Sequence, residues 1–245
     1  MDRPFILEGD APLSCLLLHG FAGTAGQMLP FAEHLQREGI TCSAPLLAGH
    51  GTTQEDLLPV TPEEWLKGAE EAYEGLASRK KEITVIGHSM GGAIGIHLAA
   101  RYPVKALVLL ATPLAAWPGA RPVISILARI CPVLSSPHFA LMGSEEKRKV
   151  AGYFQVPAAS VLAFLRLLDL VRPELPRVSA PTLIFQAWQD YVVPFTNAQA
   201  IKKRLGFPCA EIRYLTKTLH LPHLDREREE VFAESLRFLR KHGGL

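Results

Sequence analysis

Short apolar runs bounded by Gly, Pro or polar residues recur along the chain, at residues 14–18, 41–44, 83–86, 106–110, 182–186 and 211–215. Several are continuous rather than alternating, as strands buried on both faces of a parallel sheet must be. Between them lie segments with helical spacing: 27–38, 62–78 with Thr61 as N-cap, 90–101 stopped by Pro103, 196–205 and 226–241. Strands that alternate with helices predict an α/β fold, a mostly parallel central sheet flanked by helices.

The alternation breaks between residues 114 and 177. A crossover needs only a dozen or so residues, so this stretch reads as an inserted helical cap, residues 114–177, over a core formed by 1–113 and 178–245. The segment SVLAFLRLLDL at 160–170 is strongly apolar around Arg166 and Asp169. The competing reading is a set of irregular core helices.

Composition narrows the function. At 245 residues, with 26 Lys plus Arg against 24 Asp plus Glu and 48% hydrophobic residues, the chain suits one large domain that buries a sizeable core. Neither a basic surface for nucleic acid nor a disordered chain is indicated. Cys15, Cys42, Cys131 and Cys209 form no C-x-x-C pair, which points to thiols in a reducing compartment. With no secretory leader and no apolar run of membrane-spanning length, the expectation is a cytoplasmic protein without stable membrane insertion.

The stretch ITVIGHSMGG places Ser89 between Gly87 and Gly91, behind a strand candidate and ahead of a helix candidate. That is the strand–turn–helix setting of a nucleophile elbow. The turn must be so tight that Ser89 adopts a strained backbone and no β-carbon fits at Gly87 or Gly91. The following helix then aims its positive end at the place where an oxyanion would form. A serine N-cap flanked by turn glycines explains the serine, though not both glycines.

Taken together, LLLHGFAG at 16–23, GHG at 49–51 and GHSMGG at 87–92 resemble the α/β-hydrolase superfamily. More narrowly, the chain resembles small bacterial carboxylesterases and monoacylglycerol lipases. QAWQDYVVP at 186–194 and HLPHLDRERE at 220–229 extend the resemblance along nearly the whole chain, weakest in the insertion.

A serine hydroxyl needs a base in hydrogen-bond reach and a third group that orients the base. On such a fold the order is Ser, acid, His. Among the late histidines, His220 follows the EIRYL strand by a short loop and is the choice for base, with His223 the alternative and His242 near the chain end. A metal reading of His220, His223 and Asp225 is disfavoured because Pro222 interrupts any helix there. Asp190, just past the TLIFQ strand and where the resemblance implies an aspartate, is the acid; its plainer reading is an Asx-turn carboxylate. Glu211 and Asp169 are poorer choices. Two departures from the resembling family stand out: Thr218-Leu219 where a small pair often precedes the histidine, and Ala187 where a glycine is common.

The oxyanion donors are the Met90 N–H, next after the nucleophile, and, by resemblance, the Phe21 N–H. His19 then organises a loop, His88 packs or hydrogen-bonds behind the elbow, and His50 stabilises a loop near the site. The implied activity is serine hydrolysis of short-to-medium carboxylic esters or monoacylglycerols, with no cofactor and no metal, on a small apolar ester. Thioesterase, lactonase or other chemistry on the same residues is the alternative. A non-catalytic ligand-binding protein is a further one. A nucleotide-binding module is disfavoured because GHSMGG is neither G-x-G-x-x-G nor a Walker sequence. A histidine base loses its proton through about pH 6 to 7, so initial rates should rise over that range. A rate flat from pH 5 to 9 would speak against such a base.

Overall fold

The computed structural model describes residues 3–79, 82–135, 152–206 and 210–244. Its strands are β1 (Phe5–Leu7), β2 (Leu13–Leu18), β3 (Thr41–Ala44), β4 (Glu82–His88), β5 (Leu107–Leu110), β6 (Val133–Ser135), β7 (Gln155–Pro157), β8 (Thr182–Ala187) and β9 (Ala210–Leu215). Its α-helices are α1 (Leu29–Gln36), α2 (Pro62–Ala77), α3 (Met90–Arg101), α4 (Ala120–Ile130), α5 (Ala158–Val171), α6 (Thr196–Arg204) and α7 (Arg228–His242).

Among the described residues the main sheet has seven strands in the order β1-β3-β2-β4-β5-β8-β9. Only β1 runs antiparallel to its neighbour. The α/β architecture expected from the sequence is therefore the one that forms. The strands β2, β3, β5 and β8 are buried along their whole length, which is why their sequences show no polar alternation. One apolar cluster, with Trp65, Ile94 and Leu109, covers one face; a second, with Phe31, Phe185 and Phe232, covers the other.

β4 and β1 differ from the sequence reading for identifiable reasons. β4 runs on through Gly87 and His88, because these pair with Leu18 of β2 and Leu110 of β5. β1 escapes the pattern because three residues with a partly exposed face carry too little periodicity. Cys15 and Cys42 face each other across β2 and β3 as free, buried thiols. Burial pushes the Cys15 thiol up to about 12 and raises that of Cys42 as well, so neither is reactive. Cys209 lies outside the described residues.

The insertion expected at 114–177 is described in part, residues 136–151 lying outside. Its helices α4 and α5 pack on each other, Arg121 pairing with Asp169 and donating to the Leu165 carbonyl at 3.1 Å. Leu165 and Leu168 of α5 pack against Ala93 of α3. Within the same stretch β6 and β7 pair antiparallel, Leu134 opposite Val156. Among the described residues no helix is long and apolar enough to cross a membrane.

α2 shows how local sequence sets these elements. Thr61 caps it by accepting from the Glu64 N–H at 3.3 Å, while the Glu64 carboxylate accepts from the Thr61 N–H at 2.8 Å, and Pro62 opens the first turn. Trp65, Ala69, Tyr73 and Leu76 then fall on one buried face. Replacing Thr61 by Ala should lower stability by about 1 kcal/mol, read as a shifted urea midpoint with unchanged slope. No shift would show that Pro62 and the buried face suffice.

Candidate active site

In a parallel sheet all C-terminal strand ends lie along one edge, and here four of them deliver the residues singled out in the sequence. β2 ends into His19-Gly20-Phe21, β4 into Ser89, β8 into Asp190, and β9 into the loop carrying His220. The register aligns these ends: Gly87 lies opposite Leu18, and Leu110 opposite both His88 and Phe185. β4 and β8 are separated by β5 alone, which sets their ends about 10 Å apart, a gap an imidazole and its two hydrogen bonds can bridge.

Ser89 sits at φ 50°, ψ −113°, between the last residue of β4 and the first of α3. Its N–H donates to the Leu110 carbonyl at 2.8 Å, and its carbonyl accepts from Gly92 and Ala93 at 2.9 and 3.2 Å. A β-carbon on Gly87 would overlap the Gly91 carbonyl, and one on Gly91 would overlap the Leu18 carbonyl. The tight turn thus leaves room for hydrogen alone at both flanks.

Asp190 and His220 are brought together. His220 Nδ1 lies 2.9 Å from Asp190 Oδ2 and 3.2 Å from Oδ1, with both residues buried. Asp190 Oδ1 also accepts from the Val192 and Val193 N–H groups at 2.9 Å each, and Oδ2 from the Gln186 amide at 3.3 Å. The carboxylate is therefore an Asx-turn anchor and a histidine partner at once, so the two sequence readings of Asp190 do not compete. An acceptor at Nδ1 fixes the tautomer that leaves Nε2 with its lone pair.

The loop carrying His220 is pinned from both sides. Asp225 Oδ2 accepts from the Leu219 N–H at 2.9 Å, and the Glu227 carboxylate accepts from the Thr216 and Lys217 N–H groups at 3.1 and 2.8 Å. Asp225 and Glu227 serve the loop, so α7 starts only at Arg228. His88, immediately before Ser89, donates from Nε2 to the His220 carbonyl at 2.9 Å, tying the nucleophile's strand to the backbone of the candidate base. His223 is fully buried with its ring centroid 4.7 Å from that of His88. It packs behind the site rather than beside Asp190.

Phe21 and Met90 present their N–H groups at the same edge, and among the described residues neither has a protein acceptor. The Gly20 carbonyl belongs to the same planar peptide as the Phe21 N–H, and it accepts from His19 Nδ1 at 2.9 Å and from the Gly23 N–H at 3.0 Å. In a trans peptide the N–H points opposite to the C=O, so anchoring that carbonyl inward aims the Phe21 N–H outward. His19 Nε2 in turn accepts from the Leu47 N–H at 3.1 Å.

His50 has a partner the sequence did not reveal. Its Nε2 accepts from the Ala22 N–H at 3.2 Å, and its Nδ1 donates to the Ala48 carbonyl at 3.0 Å. No local pattern announces this bond, because it joins residues 28 positions apart.

The serine aminopeptidase, S33, family (Hydrolase_4) matches residues 10–227. A thermostable monoacylglycerol lipase of Bacillus sp. (strain H-257) is 34% identical over 99% of this chain and 96% of its own. A carboxylesterase of Bacillus subtilis (strain 168) is 27% identical over 98% and 96%. Among solved structures, one from a study of LipS and LipT, two metagenome-derived lipolytic enzymes, superposes with a TM-score of 0.89 at 28% identity, covering 98% of both chains.

Burial lowers the proton affinity of three of the histidines described above: His19 to about 3, where His50 adds repulsion, His50 to about 4, and His223 to about 3. Above pH about 6.5 both folded and unfolded chains leave these rings neutral. Below it only the unfolded chain takes up the protons, so stability falls with pH, by about 4 kcal/mol for the three together between pH 8 and pH 5.5. Urea unfolding across that range should show the decline; a flat profile would mean the rings are protonated in the folded state.

Proposed function

The chain belongs to the serine aminopeptidase, S33, hydrolase family, and on that premise we propose that it cleaves carboxylic esters of short-to-medium acyl chains through an acyl-enzyme on Ser89. The observation that carries the reading is the buried Asp190–His220 pair, tied by its backbone to His88, the residue beside a strained serine.

In the first half-reaction His220 Nε2 accepts the Ser89 proton as Oγ attacks the ester carbonyl. Asp190 holds the other ring nitrogen and stabilises the imidazolium that results. The Phe21 and Met90 N–H groups receive the developing oxyanion, each lowering the barrier by a few kcal/mol. The imidazolium returns its proton to the departing alcohol. In the second half-reaction water, activated by the same nitrogen, releases the acid and frees Ser89.

The fold, the family and the lipase and esterase relatives support an ester rather than a nucleotide ligand. An apolar acyl chain is supported by the aromatic surroundings of Phe21, whose ring stacks on Phe164 of α5 at 5.5 Å and meets Trp65 edge-on at 6.0 Å. Phe164 comes from residues 114–177, which we take as a cap over the core. The free buried thiols support a reducing, cytoplasmic location.

A fluorophosphonate probe should label Ser89, as located by mass spectrometry, and p-nitrophenyl esters of graded length should be turned over faster than aminoacyl anilides. S89A should lose at least about 10⁴-fold in kcat, and D190N about 10⁴-fold with little change in KM. Full hydrolysis by S89A would end the proposal.

A further inference from the structure

Gly152, in the segment that leads into β7, forms an antiparallel bridge with Gly23 of the β2–α1 loop. The Tyr153 N–H donates to the Ala22 carbonyl at 2.7 Å. Its hydroxyl donates to the Gly49 carbonyl at 3.1 Å and accepts from the Thr52 N–H at 3.0 Å. Its ring lies parallel to that of His50, at 10° and 6.3 Å between centroids. Tyr153 therefore joins three stretches that are remote in sequence: the loop carrying Phe21, the GHG loop, and the insertion.

The object of these contacts is a turn that is unfavourable by itself. Gly20 to Gly23 closes a four-residue turn through the Gly23 N–H and the Gly20 carbonyl. Its third residue, Ala22, has φ +62°, where such turns ordinarily carry glycine. An alanine there stays only if both of its peptide groups are held. His50 Nε2 holds its N–H and Tyr153 holds its carbonyl. The Ala22 carbonyl shares its peptide with the Gly23 N–H, so once Ala22 is released the Gly23 N–H turns away from the Gly20 carbonyl, and the Gly20–Phe21 peptide loses one of the two anchors that aim the Phe21 N–H.

We propose that Tyr153 is a positioning residue for hydrolysis, holding the Gly20–Gly23 turn so that the Phe21 N–H meets the oxyanion, and that the seating of the segment leading into β7 and the competence of the oxyanion site are one event. This rests on the assignment of Phe21 above. Tyr153 touches no reacting atom, and its effect falls on the transition state, where the oxyanion exists, and not on substrate binding.

Y153F keeps the ring and the backbone bridge and removes the two hydroxyl contacts; Y153A also removes the ring against His50. Removing one oxyanion donor outright costs about 10²- to 10³-fold, so kcat on p-nitrophenyl butyrate should fall by about 3- to 10-fold in Y153F and about 30-fold or more in Y153A. KM and the position of the pH profile should not move, because the Asp190–His220 pair is untouched. A butyl trifluoromethyl ketone, which adds to Ser89 as a hemiketal oxyanion, should weaken in Ki by the same factor as kcat/KM. Melting temperature and near-ultraviolet circular dichroism establish folding, and if Y153A does not fold, Y153F alone decides. Folded variants with kcat within twofold of the parent, or a raised KM at unchanged kcat, would overturn the inference. S89A, assayed alongside, separates the two claims: an active S89A defeats the hydrolase mechanism, whereas an inactive S89A with unaffected Tyr153 variants defeats this inference alone.

Discussion

Ser89 is held with its backbone at φ 50°, ψ −113°, a conformation that costs on the order of 1–3 kcal/mol, and the surrounding structure can be understood as the means of keeping it there. The Leu110 carbonyl takes its N–H and the first turn of α3 takes its carbonyl. The flanking glycines admit the neighbouring backbone at a distance no side chain would permit. β4 must therefore be a central strand with partners on both sides, since an edge strand would leave the turn without the β5 carbonyl that fixes it. The same turn leaves the Met90 N–H at the head of α3, where negative charge is favoured.

Around that turn, buried histidines do much of the organising. His19 and His50 fix the peptides on either side of Phe21, and His88 fastens the loop of His220 to the strand of Ser89. A neutral imidazole suits this work because it offers one donor and one acceptor on a rigid ring and can bridge two backbones. Burial keeps His19 and His50 neutral far below the ordinary range, so the scaffold does not change charge where a catalytic histidine would titrate.

Much of the layout was legible in the chain. The apolar runs gave the parallel strands to within a residue or two, since strands buried on both faces cannot hide their composition. Thr61 as N-cap announced the start of α2 at Pro62 by capping chemistry alone. Ser89 was legible because two glycines and a serine between a strand and a helix have few physical explanations. Asp190 was placed by its position after a strand and by the resemblance, and His220 by its position after the last strand, with His223 kept as the alternative base. The three residues of β1, the late start of α7 and the partners of His50 and Tyr153 were not legible. Each depends on contacts between distant segments, as with His88 and the His220 carbonyl, 132 positions apart, and such contacts leave no local periodicity.

The sequence by itself determined which segments are buried, where helices begin, and which residue types are available for nucleophile, base and acid. These follow from burial preference and backbone sterics, which act over a few residues. Only the tertiary structure decided which histidine meets Asp190 and which packs behind His88. It also set Tyr153 against the Ala22 carbonyl and the GHG loop, both more than 100 positions away in sequence. The reason is that hydrogen-bond direction and side-chain facing are set by the relative placement of strand ends, a property of the assembled sheet and of no single stretch within it.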